Sequence, residues 1–226
     1  MDSNQNQSKL NKFLKSQWFL FIKDVLIIIL LVFLVKAFIA ETFVVKWVSM
    51  RNTYYNDEFI ILDRISYLFK NPERGDVVVF DPHVNEKFYL KRVIWIPWDE
   101  LKIQDWKIFI EQKWKTEFIE IIEPYLNEEN KWRTFTWPNW VSEYKLWEDE
   151  YFLIWDNRNY STDSRECFVN CDNRSPFISK KDIRGKVFLD LWHFSLKEMK
   201  FVTEDWDESK PRFFWVDSSH DYPELK

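Results

Sequence analysis

Glycine is almost missing: Gly75 and Gly185 are the only two in 226 residues, where a usual share of ~7% would give about sixteen. No glycine-rich phosphate cradle of the dinucleotide or P-loop kind occurs in the sequence. Cysteine and histidine are scarce too, with two and three copies. Two cysteines cannot build a disulfide scaffold, this donor set is a poor kit for zinc, and no H-E-x-x-H occurs. Neither a metal nor a cofactor is expected. A basic excess is also lacking, since 32 Lys and Arg against 37 Asp and Glu leave a net charge of −5, so a nucleic-acid partner is not suggested. Tryptophan, by contrast, is abundant at 14 residues. Added to the glycines, it restores the share that glycine normally takes.

The N-terminus reads as a membrane anchor. Residues 1–17 form a polar tail carrying Lys9, Lys12 and Lys15 against Asp2 alone. From Phe19 to Ala40 the chain is apolar apart from Lys23, Asp24 and Lys36. As a helix rising ~1.5 Å per residue this stretch spans about 33 Å, near the ~30 Å hydrocarbon thickness. Lys23 and Asp24 fit one interface, and Lys36 can snorkel toward the other. Cleavage as a signal peptide is disfavoured, because bulky Phe38 lies two residues before Ala40 where a small residue is needed. Residues 18–40 are therefore read as a retained transmembrane helix in the plasma membrane, single-pass, with the tail cytoplasmic and everything after Ala40 outside.

Beyond Ala40, short alternating stretches replace the long run. Segments 59–62, 76–80, 88–96, 101–103, 107–110, 117–122, 151–154 and 186–189 are rich in Val, Ile, Phe and Tyr and read as strands. The fold class expected is mostly β: a membrane-anchored all-β domain over residues 41–190, one N-terminal transmembrane helix, and a smaller acidic β-hairpin lobe inserted at 104–148. A pattern of helical length shows only in Leu189–Val202, and residues 191–226 otherwise read as a polar tail.

The tryptophans stand in unusual company. Pro97-Trp98-Asp99, Asp105-Trp106-Lys107, Lys113-Trp114-Lys115, Lys131-Trp132-Arg133 and Asn139-Trp140-Val141 lie between strand-like stretches, where a reversal calls for positive φ and glycine supplies it without cost. Pro-Gly, Asp-Gly and Asn-Gly are turn signals; the same pairs with tryptophan are not. Most of these tryptophans therefore read as occupants of glycine positions. The simplest cause is UGA codons meaning glycine, translated as tryptophan. Trp18, Trp192 and Trp215 sit among aromatic or apolar neighbours and read as genuine.

With those tryptophans taken as glycine, four boxes appear in order. Trp47-Val48-Ser49-Met50-Arg51-Asn52-Thr53 looks like G-x-S-M-x-P-T. Arg74-Gly75-Asp76 opens a hydrophobic strand through Phe80. Lys91-Arg92-Val93-Ile94-Trp95-Ile96-Pro97-Trp98-Asp99 reads as K-R-V-I-G-x-P-G-D, and residues 155–165 read as G-D-N-R-x-x-S-x-D-S-R. Over roughly residues 20–190 the chain resembles the type I signal peptidases, the membrane-bound leader peptidases. The resemblance implies a serine endopeptidase that removes signal peptides from exported preproteins beside the lipid bilayer. It assigns Ser49 as nucleophile and Lys91 as general base, with Met50 and position 47 (Trp47 here) at the nucleophile. Ser161 corresponds to the hydroxyl that orients the lysine, and Asp156, Arg158, Asp163 and Arg165 to a supporting ion-pair network. Asn52 stands where the family has proline, and Tyr54 where leucine is common. Cys167 and Cys171, in the stretch after the last box, are candidates for a small disulfide outside the membrane.

The chemistry is coherent. A serine hydroxyl needs a positioned base, and a lysine serves only as the neutral amine, so its ordinary pKa near ~10.4 must fall by burial. Strand alternation puts Lys91 on the face of Tyr89 and Val93, with Arg92 opposite. Without the boxes, a Lys-Arg pair in a strand reads as a solvated edge. The alternative function is a catalytically inactive, membrane-tethered β domain that binds peptides or partners. Genuine indoles at Trp47, Trp95, Trp98 and Trp155 would favour it by filling the cleft.

Overall fold

The computed structural model describes residues 9, 12–13, 16–34, 40–46, 50, 53–135, 143–159, 162–169, 171–191, 194–195, 200–201, 214–215 and 219–225. Two compact units emerge, Met1–Ala40 and Glu41–Lys226.

In the first unit, helix α1 covers Gln17–Leu34. It contains no proline or glycine, and side chains such as Leu26, Ile28, Leu30 and Phe33 are exposed along it. Its 18 residues rise ~1.5 Å each to about 27 Å. Residues 35–39 lie outside the described ones. Among the described residues, no helix is long and apolar enough to cross a membrane.

The second unit is built on strands β1 (Ala40–Val44), β2 (Phe59–Asp63), β3 (Val77–Phe80), β4 (Tyr89–Trp95), β5 (Glu100–Gln104), β6 (Lys107–Glu111), β7 (Ile119–Glu120), β8 (Glu143–Lys145), β9 (Glu150–Ile154), β10 (Ile178–Ser179), β11 (Ile183–Asp190), β12 (Phe194–Ser195), β13 (Lys200–Phe201) and β14 (Phe214–Trp215), with a one-turn helix α2 (Ser66–Phe69). The main sheet runs β1-β2-β11-β3-β4-β9-β10, with β14 added on β11. Alternation shows in β2, where Ile60 and Leu62 are buried and their neighbours are half-buried. The valines of β3 are buried on both faces because each face meets a core: Val77 and Val79 pack in one with Leu62 and Val187, and Val78 in another with Val93 and Leu153. Gly185 answers a steric demand: a Cβ there would lie 2.6 Å from the Asp63 carbonyl oxygen on β2.

The lobe forms as an inserted sheet, β7-β6-β5-β8, between β4 and β9. Its hairpin pairs Glu100 with Glu111 and Gln104 with Lys107, and its core gathers Leu101, Ile103, Ile108, Ile110 and Leu146.

Two expectations for the C-terminal part are corrected. The Leu189–Val202 stretch is not helical where it is described: Leu189 and Asp190 complete β11, and β12 pairs with β13. The β-rich alternation Val187-Phe188-Leu189 continues the sheet and overrides the helical spacing. Nor are residues 191–226 merely a polar tail, since Tyr222 and Leu225 are 4% and 6% exposed within the lobe core.

Three of the suspect tryptophans have left-handed backbone, Trp98 at φ +75°, Trp106 at +66° and Trp114 at +68°. A bulky residue in that region is an outlier. Trp132 is described and not left-handed, and Trp140 lies outside the described residues.

Candidate active site

Strand β4 sits inside the sheet, between β3 and β9, so the pair Lys91-Arg92 is not on a solvated edge. Lys91 is 1% exposed and Arg92 2%, on opposite faces of the strand as its alternation requires. Lys91 opens onto a cleft of about 460 Å³ lined by Phe43, Lys46, Ile60, Val79, Tyr89 and Thr162 among others. Its amine donates to the Leu90 carbonyl at 3.1 Å and lies 3.7 Å from the centre of the Trp155 ring and 4.8 Å from that of Tyr89. Burial drives the Lys91 amine far below the usual lysine range, against a weaker opposing pull from Asp163. A neutral amine facing a cleft is what a general base requires.

Trp47, Ser49 and Ser161 lie outside the described residues. Their described neighbours Lys46 and Thr162 line the cleft with Lys91. Met50 is fully buried and packs with Val45, Tyr54 and Ile60. Thr53 donates its hydroxyl hydrogen to Asp156. Asp156 also accepts from Arg92 Nε at 2.9 Å and Nη2 at 2.7 Å. One buried carboxylate thus ties the segment after position 49 to the strand that carries the lysine.

The remaining charged candidates are buried rather than solvated. Burial pushes the Asp163 carboxyl up, but the Arg165 guanidinium and backbone N–H donors from Arg165 and Trp155 outweigh it and hold the group below the usual carboxylate range. Arg165 Nη2 lies 2.8 Å from Asp163 Oδ2, and the Leu153 N–H donates to Ser164 Oγ at 2.9 Å. Together these bonds pin residues 163–165 along the end of β9. Cys167 and Cys171 are joined, with an S–S distance of 2.07 Å. Beside them Phe168 is buried against Phe80, ring centres 5.3 Å apart.

Asp156 and Arg158 do not pair with each other. Asp156 takes Arg92, and Arg158 takes Glu123, with Thr134 Oγ1 accepting from Arg158 Nη1 at 2.7 Å. Sequence reasoning missed Glu123, Tyr125 and Thr134, which arrive from the lobe. A signal existed: two arginines amid buried segments need acids, and Glu123-Pro124-Tyr125 sets an acid and a ring inside an apolar run. The centre of the Tyr125 ring lies 4.0 Å from Arg92 Cζ. Among the described residues, no group of His, Cys, Asp and Glu could hold a metal ion.

Comparison with known proteins bears on this geometry. The family described as "Signal peptidase, peptidase S26" matches residues 18–192. A signal peptidase I P of Bacillus subtilis subsp. natto is 32% identical over 167 residues, 73% of this chain and 83% of its own length. A signal peptidase I of Rickettsia massiliae is 30% identical over 211 residues, 73% of this chain and 77% of that one. Among solved structures, a signal peptidase I from Enterococcus faecalis V583 covers 52% of this chain and 97% of its own at 23% identity, with a TM-score of 0.38. On the extent of the family match and the sequence identity of its relatives, this chain belongs to the signal peptidase S26 family and is a serine peptidase.

Proposed function

We propose that this chain removes N-terminal signal peptides from exported preproteins while attached to the plasma membrane by residues 18–40, with Ser49 and Lys91 as its catalytic dyad. The observation that carries the reading is the buried, charge-disfavoured amine of Lys91 on a cleft whose walls include the neighbours of both candidate serines. Lys91 Nζ takes the Ser49 Oγ proton as Oγ attacks the carbonyl after a small residue of the substrate. The Ser49 N–H stabilises the oxyanion. As the intermediate collapses, the C–N bond breaks, the departing amine takes the proton from Lys91, and an acyl-serine remains. Lys91 then draws a proton from water, which attacks the ester, and hands that proton to Ser49 Oγ as the C–O bond breaks, which restores the hydroxyl and the neutral amine. Ser161 holds the amine in line, with Asp156, Arg158, Asp163 and Arg165 supporting the walls. Substrates carry small residues one and three positions before the cut.

The same proposal takes glycine as the native residue at positions 47, 95, 98, 106, 114 and 155. Left-handed backbone at Trp98, Trp106 and Trp114 supports it. So do the buried indole N–H groups of Trp95 and Trp155, which find no hydrogen-bond partner among the described residues, whereas buried tryptophans usually have one. A glycine at position 155 uncovers the Lys91 amine. UGA codons at these positions are the expected reading of the gene.

The inactive peptide-binding reading draws on one observation, the Trp155 ring seated 3.7 Å from Lys91 Nζ. Cleavage of a preprotein by the full chain in detergent separates the two. Activity lost in both Ser49→Ala and Lys91→Ala supports the dyad; activity retained in either variant overturns it.

A further inference from the structure

Behind the lysine strand, a C-terminal segment closes over the polar network. Tyr222 and Leu225 are buried among Ile94, Leu101 and Ile121. The Tyr222 hydroxyl lies 2.9 Å from that of Tyr125, which donates to Glu123 Oε1 at 2.6 Å. Glu224 Oε1 accepts the Ile122 N–H at 2.6 Å. His220 packs its ring 4.6 Å from Tyr222, centre to centre, and lays its backbone on Gly75. A Cβ at Gly75 would lie 2.2 Å from the His220 carbonyl oxygen, and the φ of +91° is itself left-handed. Gly75 is also gripped from within, because its carbonyl accepts from Arg92 Nη1 at 2.8 Å.

The chain of contacts is continuous. It runs from Tyr222 through Tyr125 to the guanidinium of Arg92, from there to Asp156, and from Asp156 to Thr53, four residues after Ser49. Burial raises both phenols above their usual range, so the hydroxyls stay protonated at working pH and the linkage does not titrate there. None of residues 219–225 lines the cleft.

We propose that residues 219–225 form a positioning strap for the reaction, with Tyr222 as its key: with Tyr222 seated on Tyr125 and the His220 backbone on Gly75, the strap fixes the Arg92–Asp156 pair and thereby Thr53, four residues after Ser49. Tyr222 is a positioning residue and touches no substrate. The assignment rests on the dyad reading above for its kinetic consequence, but its structural consequence is independent of it.

The test uses the full chain in detergent with Tyr222→Phe and Tyr222→Ala. Loss of one buried hydrogen bond corresponds to a kcat lowered roughly two- to tenfold in Tyr222→Phe, while Tyr222→Ala falls further. In both, KM stays within about twofold and the acid limb of the pH profile, set by Lys91, does not move. Rescue by phenylalanine relative to alanine separates lost packing from the lost hydroxyl. Amide hydrogen exchange at Thr53 and Tyr54, whose N–H groups donate to the Met50 carbonyl at 2.9 and 2.7 Å, is expected to quicken in either variant. Faster exchange in a chain that cleaves no preprotein sustains the strap and overturns only the dyad reading. Unchanged exchange at both amides in Tyr222→Phe, with unchanged kcat, overturns the strap even if Tyr222→Ala fails to fold.

Discussion

Removing the carboxylate of Asp156 is the most informative single perturbation of this fold. Arg92 and Asp156 are 2% and 0% exposed and share two charge-assisted hydrogen bonds. In Asp156→Ala the guanidinium keeps the Gly75 carbonyl and the face of Tyr125 but loses both hydrogen bonds to the carboxylate. Stripping one partner from a buried pair costs about 3–5 kcal/mol, against ~0–1 kcal/mol for an exposed one. For a domain of this size each kcal/mol moves Tm by roughly 2–4 °C, so a fall of about 6–20 °C is expected. Circular dichroism of the full chain in detergent measures it. The double variant Arg92→Met with Asp156→Leu removes both charges and should return to within about 1–2 kcal/mol of the parent. It should nonetheless cleave poorly, because Thr53 loses its hydrogen bond to Asp156. A single variant within about 1 kcal/mol of the parent, or a double variant no more stable than the single, refutes the account.

Two further outcomes follow from the same structure. Folded Lys91 favours the neutral amine, so the unfolded chain binds more protons between the depressed folded pKa and the ordinary ~10.4. Stability of the parent therefore climbs with pH through that window, the penalty being full below it and gone above it. Lys91→Met should raise Tm at neutral pH and flatten the climb; parallel Tm curves for the two proteins would show that the amine is not penalised. For the turns, left-handed backbone costs a bulky residue roughly 1–2 kcal/mol at each of Trp98, Trp106 and Trp114. The triple replacement by glycine should hold Tm at or above the parent despite losing three indoles, and a Tm lower by more than about 5 °C would count against the glycine reading.

Much of the sheet was legible because each strand carries its own evidence. Val77–Phe80 and Tyr89–Trp95 are β-branched and aromatic runs bounded by turn residues, and a local rule suffices for them. Strands Ala40–Val44 and Ile178–Ser179 escaped notice because short strands at the sheet edges are fixed by their partners rather than by pattern. For the site, Lys91 was readable from its box, and its burial follows from the sheet position of β4. Which partners Arg92 takes was not readable, although Glu123-Pro124-Tyr125 hinted at a buried acid and ring. Asp156 lies 64 residues from Arg92, and Tyr125 and Tyr222 come from an inserted lobe and a segment with no periodicity. Such pairings depend on where distant segments meet, which charge and spacing along one chain do not encode. The isolated turn tryptophans were informative in the opposite way, since backbone sign is a local property and the residue type violated it.

The lobe shares a core with Ile94, Trp95 and Phe152 of the sheet, but its chain leaves and re-enters at a neck where the two passes run side by side. Trp98 N–H donates to the Leu146 carbonyl at 3.1 Å and Leu146 N–H to that of Asp99 at 3.0 Å, while just outside them Trp95 pairs with Phe152. Everything between residues 99 and 146 is therefore a cassette whose ends already touch. Exchanging it is not free of obligation, because the cassette hands Glu123, Tyr125 and Thr134 back to the two buried arginines. A chimaera cut at this neck keeps a working interior only when the incoming module brings an acid and an aromatic ring to the same two corners, whatever the shape of its outer loops.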